Sequence, residues 1–313
     1  MRVLITGAAG NLGAILSRHL LTNTDLQLRL MIHRRDVPAD LKVEGRTVVE
    51  RADLSDPNTL PAVVEGVDQI VHFAGVLFRA NPGKFLPTTN TLYFKNLIDA
   101  AKLHGVKKVI LASFPHVEGP TAFEHPAIGR LDGNPVSVHA RTRLEEERLL
   151  FASVEQPVSL RVGMVYGRGI LMIDAARWLA ARRLLGIWKH PTEIHLISKI
   201  DFCNAFTAAI QQPSAHGVYH IGDEGKIYLR GFLMLACDEW SVPQPWQMPL
   251  GLIYSAATLC EFFSSITGLP SPLTRDFIDI GRVSYYGDTT RFRHELLPQL
   301  AYPTILDGIH TLK

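Results

Sequence analysis

Through the first half of the chain, short apolar runs alternate with longer stretches in which apolar residues recur at helical spacing. The runs are Val3–Thr6, Leu26–Ile32, Thr47–Val49, Gln69–Phe73, Lys108–Ala112 and Val158–Val162. Most are too continuously apolar for strands with one wet face, which predicts strands buried on both sides. Helices are expected near Asn11–Thr22, Asn58–Val64, Asn90–His104 and His139–Val154, several opened by a capping Asn, Asp or Ser. The alternation predicts an α/β protein built on a Rossmann-type, doubly wound parallel sheet. Strand order follows from no periodicity.

Beyond about Val162 the pattern loosens into Pro- and Gly-punctuated segments, with a helix near Leu171–Leu184 and all four tryptophans, Trp178, Trp188, Trp240 and Trp246. Residues 1–162 are therefore expected to form the sheet domain and 163–313 mainly a smaller C-terminal substrate lobe, with about 194–222 returning to the first domain. Ligands of such sheets sit beyond the strands' carboxyl ends, where a second lobe would wall the substrate. The apolar stretch Leu250–Phe263, interrupted by Glu261 and flanked by Pro249 and Pro270, is shorter than a membrane span and is expected to be an amphipathic helix covering a pocket or the core.

The 313 residues are 47% hydrophobic and 20% charged, which fits a protein with a sizeable core and excludes disordered, collagenous and coiled-coil classes. Lys plus Arg (32) nearly balance Asp plus Glu (30), so neither nucleic acid nor a membrane is expected as a partner; a small-molecule substrate is. Cys203, Cys237 and Cys260 show neither metal-ligand spacing nor disulfide density, so no metal is expected. Met1-Arg2 runs directly into Val3-Leu4-Ile5, leaving no room for a signal peptide and predicting a cytoplasmic protein.

The sharpest chemical signal is Thr6-Gly7-Ala8-Ala9-Gly10-Asn11-Leu12-Gly13, between a strand and a helix. One glycine permits the tight turn, one lets backbone amides approach a pyrophosphate, and one lets helix and strand pack closely. The helix then offers unpaired N–H groups to the phosphates, so the turn predicts a dinucleotide site. NAD enzymes of this kind place an acidic residue about 20 residues later, on the ribose 2′-hydroxyl. Here the chain reads Ile32-His33-Arg34-Arg35. Guanidinium groups suit a 2′-phosphate, which favours NADP, with NAD the alternative. Two solvated arginines are the structural reading of the same pair.

The spacing Thr-Gly-x-x-Gly-x-x-Gly resembles the extended short-chain dehydrogenase/reductase family, also called the NAD-dependent epimerase/dehydratase family. Asp53-Leu54 resembles its adenine-contacting pair, and Phe73-Ala74-Gly75 its loop after the fourth strand. Leu160-Arg161-Val162-Gly163-Met164-Val165-Tyr166-Gly167 is similar to the segment beside the nicotinamide, and Lys199-Ile200-Asp201-Phe202 to one in which an aspartate caps a helix. Tyr286-Gly287-Asp288 and Tyr302-Pro303-Thr304 resemble the dihydroflavonol-reductase and 3β-hydroxysteroid-dehydrogenase branch, whereas Arg34-Arg35 and Asp53 look more like NmrA-like members. The resemblance implies a Rossmann fold, an NAD(P) cofactor contacted by these residues and an oxidoreductase. It also suggests a homodimer paired through Asn90–His104 and His139–Val154.

The family's Tyr-x-x-x-Lys helix is altered. Anchoring on Glu147 puts His139 in the tyrosine position and Arg143 in the lysine position, while Ser137 and Arg141 form an alternative register. Phe114 stands where a Ser or Thr would polarise the substrate oxygen, and Ser113 is one residue off. His139 can exchange a proton near neutral pH and Arg143 can hold the ribose, with His116, Tyr93 and Tyr166 as other acid/base groups. Packing alone is the other role open to His139. Three functions follow: an oxidoreductase on an apolar carbonyl or hydroxyl compound with His139 and Arg143 substituted, a catalytically silent NAD(P)-binding sensor, or a non-redox lyase, isomerase or cyclase.

Overall fold

The computed structural model describes residues 1–75, 81–267, 271 and 273–313. From the N-terminus, β1 (Arg2–Thr6), α1 (Asn11–Asn23), β2 (Gln27–Ile32), β3 (Thr47–Arg51), α2 (Pro61–Val64), β4 (Gln69–His72), α3 (Tyr93–Leu103), β5 (Lys108–Ser113), α4 (Val138–Ser153) and β6 (Gln156–Val162) follow one another. Then come β7 (Met164–Tyr166), α5 (Leu171–Ala181), β8 (Gly186–Ile187), β9 (Glu193–Ile194), β10 (Leu196–Ser198), α6 (Lys199–Gln211) and β11 (Gly217–Ile221). The chain closes with β12 (Ile227–Tyr228), α7 (Leu229–Trp240), β13 (Trp246–Gln247), α8 (Leu250–Thr267), α9 (Arg275–Gly281), α10 (Thr290–Glu295) and α11 (Ile305–Gly308).

Seven strands form one sheet in the order β11-β6-β5-β4-β1-β2-β3, every neighbouring pair parallel. Chain direction across the sheet reverses between β1 and β4, which makes the carboxyl ends of those two strands the switch point where such folds bind ligands. The six apolar runs all become strands, and all but the edge strand β3 are covered on both faces. Val3, Ile5 and Val71 pack on one side with Leu16 and Leu20 of α1 and Phe202 and Phe206 of α6. Leu4, Ile70, Val109 and Leu111 pack on the other with Leu97 and Ile98 of α3 and Leu150 of α4.

Three expected helices differ in detail. The stretch Asn58–Val64 is a tight turn at Pro57–Thr59 followed by the single turn α2, because Pro57 and Pro61 interrupt the backbone donors. A wide turn over Pro87–Leu92 precedes α3. The expected Leu171–Leu184 helix stops at Ala181, because Arg183 takes a left-handed φ of 60°. The segment after β6 rejoins the sheet: β11 pairs with β6 from Gly217 opposite Val158, and α6 lies against α1.

The Leu250–Phe263 expectation holds for one face of the helix, which covers a small core cluster. α8 buries only Ile253 and Ala257, which meet Ile278 of α9, and Glu261, which binds Arg275, and its opposite face is open. Its expected flank Pro270 lies outside the described residues. The helix after β10 is capped by Ser198, whose Oγ accepts the Asp201 N–H at 3.0 Å. Asp201 instead receives the N–H groups of Ala301 (2.6 Å) and Tyr302 (3.0 Å), tying down the C-terminal segment.

Arg161 of β6 is wholly buried in an ionic knot. Its guanidinium donates to Glu147 Oε1 (3.0 Å) and Oε2 (2.6 Å), to the Arg130 carbonyl (2.7 Å) and to Glu118, which His220 also contacts at 3.2 Å. Removing one member strands opposite charge in a low-dielectric interior. Arg161→Met is expected to lower stability by about 3–5 kcal/mol at pH 7.5. The penalty should be smaller at pH 5, where an unpaired buried carboxyl takes a proton. Urea unfolding at both pH values measures this; a loss that is the same at both would contradict the ionic origin.

Candidate functional site

The turn after β1 is built from three backbones in contact. Gly7 has φ +69°, and a Cβ there would lie 2.9 Å from the backbone N of Ala74 in the loop after β4. A Cβ on Gly13 would collide with the Gly7 carbonyl, and the Gly10 N–H donates to that carbonyl at 2.8 Å. Gly10 caps α1 in extended conformation with no side-chain partner, and the first turn of α1 holds no acidic residue. The first helical bond runs from Ala14 N–H to the Gly10 carbonyl (2.9 Å), so the N–H groups of Asn11, Leu12 and Gly13 lie ahead of it, free of helical partners. Bare donors, a positive helix end and a surface kept clear of Cβ atoms fit a pyrophosphate.

Several neighbouring residues do structural work. Thr6 is fully buried, bonding His72 Nδ1 at 2.9 Å and accepting the Ala74 N–H at 3.3 Å, so its side chain ties β1 to the β4 loop instead of facing the turn. Asn11 points across to the second half of the chain, donating to the Gly169 carbonyl (2.8 Å) and accepting from Leu171 N–H (3.0 Å). Leu12 and Phe73 pack against the core, Phe73 at 4.9 Å from the Phe206 ring. Gly163 permits a backbone crossing: a Cβ there would sit 2.5 Å from the His195 carbonyl.

Beyond β2, Arg34 and Arg35 are exposed. His33 Nε2 lies 3.3 Å from Asp53 Oδ2, and Arg51 donates to the His33 carbonyl. Basic groups thus gather at the end of β2, with Asp53 bordering them on β3's exit loop. The Leu54 carbonyl accepts from Asn96 at 2.9 Å.

On the other side of the switch point, α4 places the residues of the two registers differently. Ser137 is its N-cap, accepting Ala140 N–H at 3.1 Å, and the exposed Arg141 donates to the Val136 carbonyl. His139 and Arg143 lie on the inward face one turn apart, both buried. His139 meets the Phe114 ring at 5.5 Å; Phe114 meets His116 at 5.3 Å, and His116 meets Tyr285 at 4.3 Å. Arg143 Nη2 would be 3.3 Å from a Cβ on Gly75, so its guanidinium reaches the loop after β4. Its Nη1 forms an ion pair with Glu146 Oε2 at 2.7 Å. Ser113 Oγ is buried with no hydrogen-bond partner among the described residues. Tyr166 is fully buried and bonded to the Thr304 carbonyl (3.4 Å), which removes it as an acid/base group. Tyr285 and Glu146 are the members that the sequence did not single out; the Arg143/Glu146 spacing of three residues was the available signal.

Electrostatics sets the state of these groups. Burial, and then the adjacent Arg143 charge, push His139 down to about 3, and burial pushes His116 to about 4. Both rings are therefore neutral at pH 7. Burial raises Glu146 to about 7 against the pull of Arg143. Two neutral imidazoles packed among aromatic rings thus lie on the same side as one guanidinium, that of Arg143, which pairs with Glu146.

Residues 7–153 match the NAD(P)H-binding domain family. The chain is 39% identical over 118 residues to a uronate dehydrogenase from Pseudomonas syringae pv. tomato, spanning 38% of this chain and 41% of that protein. It is 27% identical over 179 residues to a 2-alkyl-3-oxoalkanoate reductase from Stenotrophomonas maltophilia, covering 54% and 52%. The aligned part is thus about two fifths to one half of these relatives' length. Over its whole length the fold matches a UDP-glucose 4-epimerase from Thermotoga maritima (TM-score 0.76, 16% identity, 100% and 97% covered). It matches equally a dTDP-glucose 4,6-dehydratase from Streptomyces venezuelae solved with NAD (TM-score 0.77, 18%, 100% and 96%).

A histidine held neutral destabilises the protein as pH falls below the unfolded value of about 6.5, because only the unfolded chain then takes the proton. Between pH 7.5 and 5.0, wild type should lose roughly 2 kcal/mol relative to His139→Gln, measured by denaturant unfolding at each pH. Parallel pH profiles for the two proteins would contradict a neutral His139.

Proposed function

We propose, on the premise that residues 7–153 are an NAD(P)H-binding domain, that the protein is an NADP-preferring oxidoreductase acting on a carbonyl or hydroxyl compound with a substituted active site. The observation that carries this reading is that Arg143 and His139 lie together on the inward face of α4, with Arg143 reaching the same loop after β4 whose Ala74 backbone meets Gly7 of the glycine turn. The amides of Asn11, Leu12 and Gly13 would hold the pyrophosphate, and Arg34 with Arg35 the 2′-phosphate. The bound cofactor supplies or takes the hydride.

The chain's own residues handle charge and protons. As hydride reaches a carbonyl carbon, negative charge grows on the oxygen, and Arg143 is the cation present to stabilise it. Burial keeps His139 neutral, so it can pass a proton only by donating one ring N–H while taking another from water at its second nitrogen. Phe114 against His139 and Tyr285 against His116 present an apolar wall that favours an apolar substrate body. The C-terminal half forms the substrate wall in this reading. A second reading, a cofactor-binding sensor without turnover, draws on the same neutral His139 and on Phe114 in the hydroxyl position.

Purified protein with NADPH and a panel of ketones, aldehydes and aldehyde sugars, assayed in both directions by nicotinamide absorbance, separates the two. Turnover is expected, at least tenfold better with NADPH than NADH, and Arg143→Leu is expected to lower kcat by about 100-fold or more. Cofactor binding without consumption across the panel would leave the sensor reading standing and remove the enzyme reading.

A further inference from the structure

α8 carries two apolar faces and only one of them has a partner. Its inner stripe, Ile253 and Ala257, meets Ile278, and Glu261 Oε2 binds Arg275 at 2.7 Å. On the opposite face Leu252, Leu259, Phe262, Phe263 and Ile266 are each 56–66% exposed, with no charged residue among them. Five large apolar side chains in one stripe form the kind of patch that soluble surfaces avoid. α8 is also the one helix among the described residues long and apolar enough to cross a membrane. Crossing is not its use here: 18 residues extend about 27 Å, less than a bilayer's hydrocarbon core, and the Glu261–Arg275 pair holds its inner face to α9.

The charge beside α8 indicates what covers the open face. Between Asp174 and Glu193 the chain carries Arg177, Arg182, Arg183 and Lys189 with no acidic residue, and all four are exposed. The segment lies against the start of α8: Gly186–Ile187 pairs with Trp246–Gln247, and Trp188 packs under the inner face of α8. Trp246 is exposed just ahead of the helix, as aromatic residues at a membrane interface are. The chain-wide charge of +2 conceals this local run.

We propose that the outward face of α8, with the exposed basic run Arg182, Arg183 and Lys189 in the segment that meets the start of the helix, seats the protein on an anionic phospholipid bilayer without spanning it. The apolar stripe enters the acyl boundary while the guanidinium and ammonium groups meet lipid phosphates. A second copy of the chain fits less well, because an isologous α8 contact would bring two like-charged segments toward each other. The inference is independent of the catalytic reading.

The test is co-sedimentation of the full chain with vesicles of equimolar phosphatidylcholine and phosphatidylglycerol, against pure phosphatidylcholine. Binding to the anionic vesicles is expected, weakened at least tenfold in Phe262→Ser/Phe263→Ser. In Arg182→Gln/Arg183→Gln, binding should fall about fivefold per charge removed. Circular dichroism melting checks that the variants fold. Quenching of wild-type tryptophan fluorescence by brominated phosphatidylglycerol gives a reading that needs no variant. Absence of both sedimentation and quenching, sedimentation unchanged in folded variants, or a wild-type dimer that ignores vesicles and is dissolved by the phenylalanine changes, would each overturn the proposal.

Discussion

The site depends on one close approach: three backbone segments meet where β1 turns into α1. Gly7 can touch the Ala74 backbone and the Gly13 turn only because neither glycine carries a Cβ and Gly7 takes a positive φ. That contact brings the first turn of α1 down onto the switch point between β1 and β4 and leaves its N–H groups facing the crevice. A side chain at either position would lift the helix away from the strand, and the amides would no longer converge. Thr6 locks the same region from beneath through His72 and Ala74.

Around that turn, the two halves of the site differ in character. Toward β2 and β3 it is polar, exposed and basic, with Arg34, Arg35 and the His33–Asp53 contact. Toward β5 and α4 it is enclosed, with aromatic rings about His139 and a single guanidinium, from Arg143. Burial decides the protonation states there. Four histidines, His72, His116, His139 and His195, are pushed down to about 3 or 4, chiefly by desolvation. The Arg143 guanidinium lies beside the loop after β4 and pairs with Glu146. A proton at this site therefore has to come through a neutral ring from water, unlike the tyrosine and lysine arrangement the helix otherwise resembles.

Much of this was legible in the chain. Continuous apolar runs marked the buried parallel strands, since no wet face had to be accommodated, and the glycine spacing marked the turn because only glycine tolerates those contacts. The spacing of His139 and Arg143 placed both on one helical face. Long-range packing was not legible. Nothing local in Tyr285 announces that its ring packs against His116, nor does the sequence show that Thr6, Asn11 and Gly163 also meet His72, Gly169 and His195. Arg161 reads as a nicotinamide neighbour and proves to be the centre of an ionic knot with Glu147 and Glu118. The apolar stretch at α8 reads as an amphipathic helix covering a pocket or the core, and hydrophobicity along a sequence does not say that a second apolar face is left exposed.

The central claim is that the amides opening α1 are a phosphate cradle. Titrating NADPH into ¹⁵N-labelled protein while following individual amide resonances tests it directly. Saturable downfield shifts at Asn11, Leu12 and Gly13, with little change at the distant amides of α10, are the predicted result. Saturation of the protein with cofactor while those three resonances stay fixed would contradict the account.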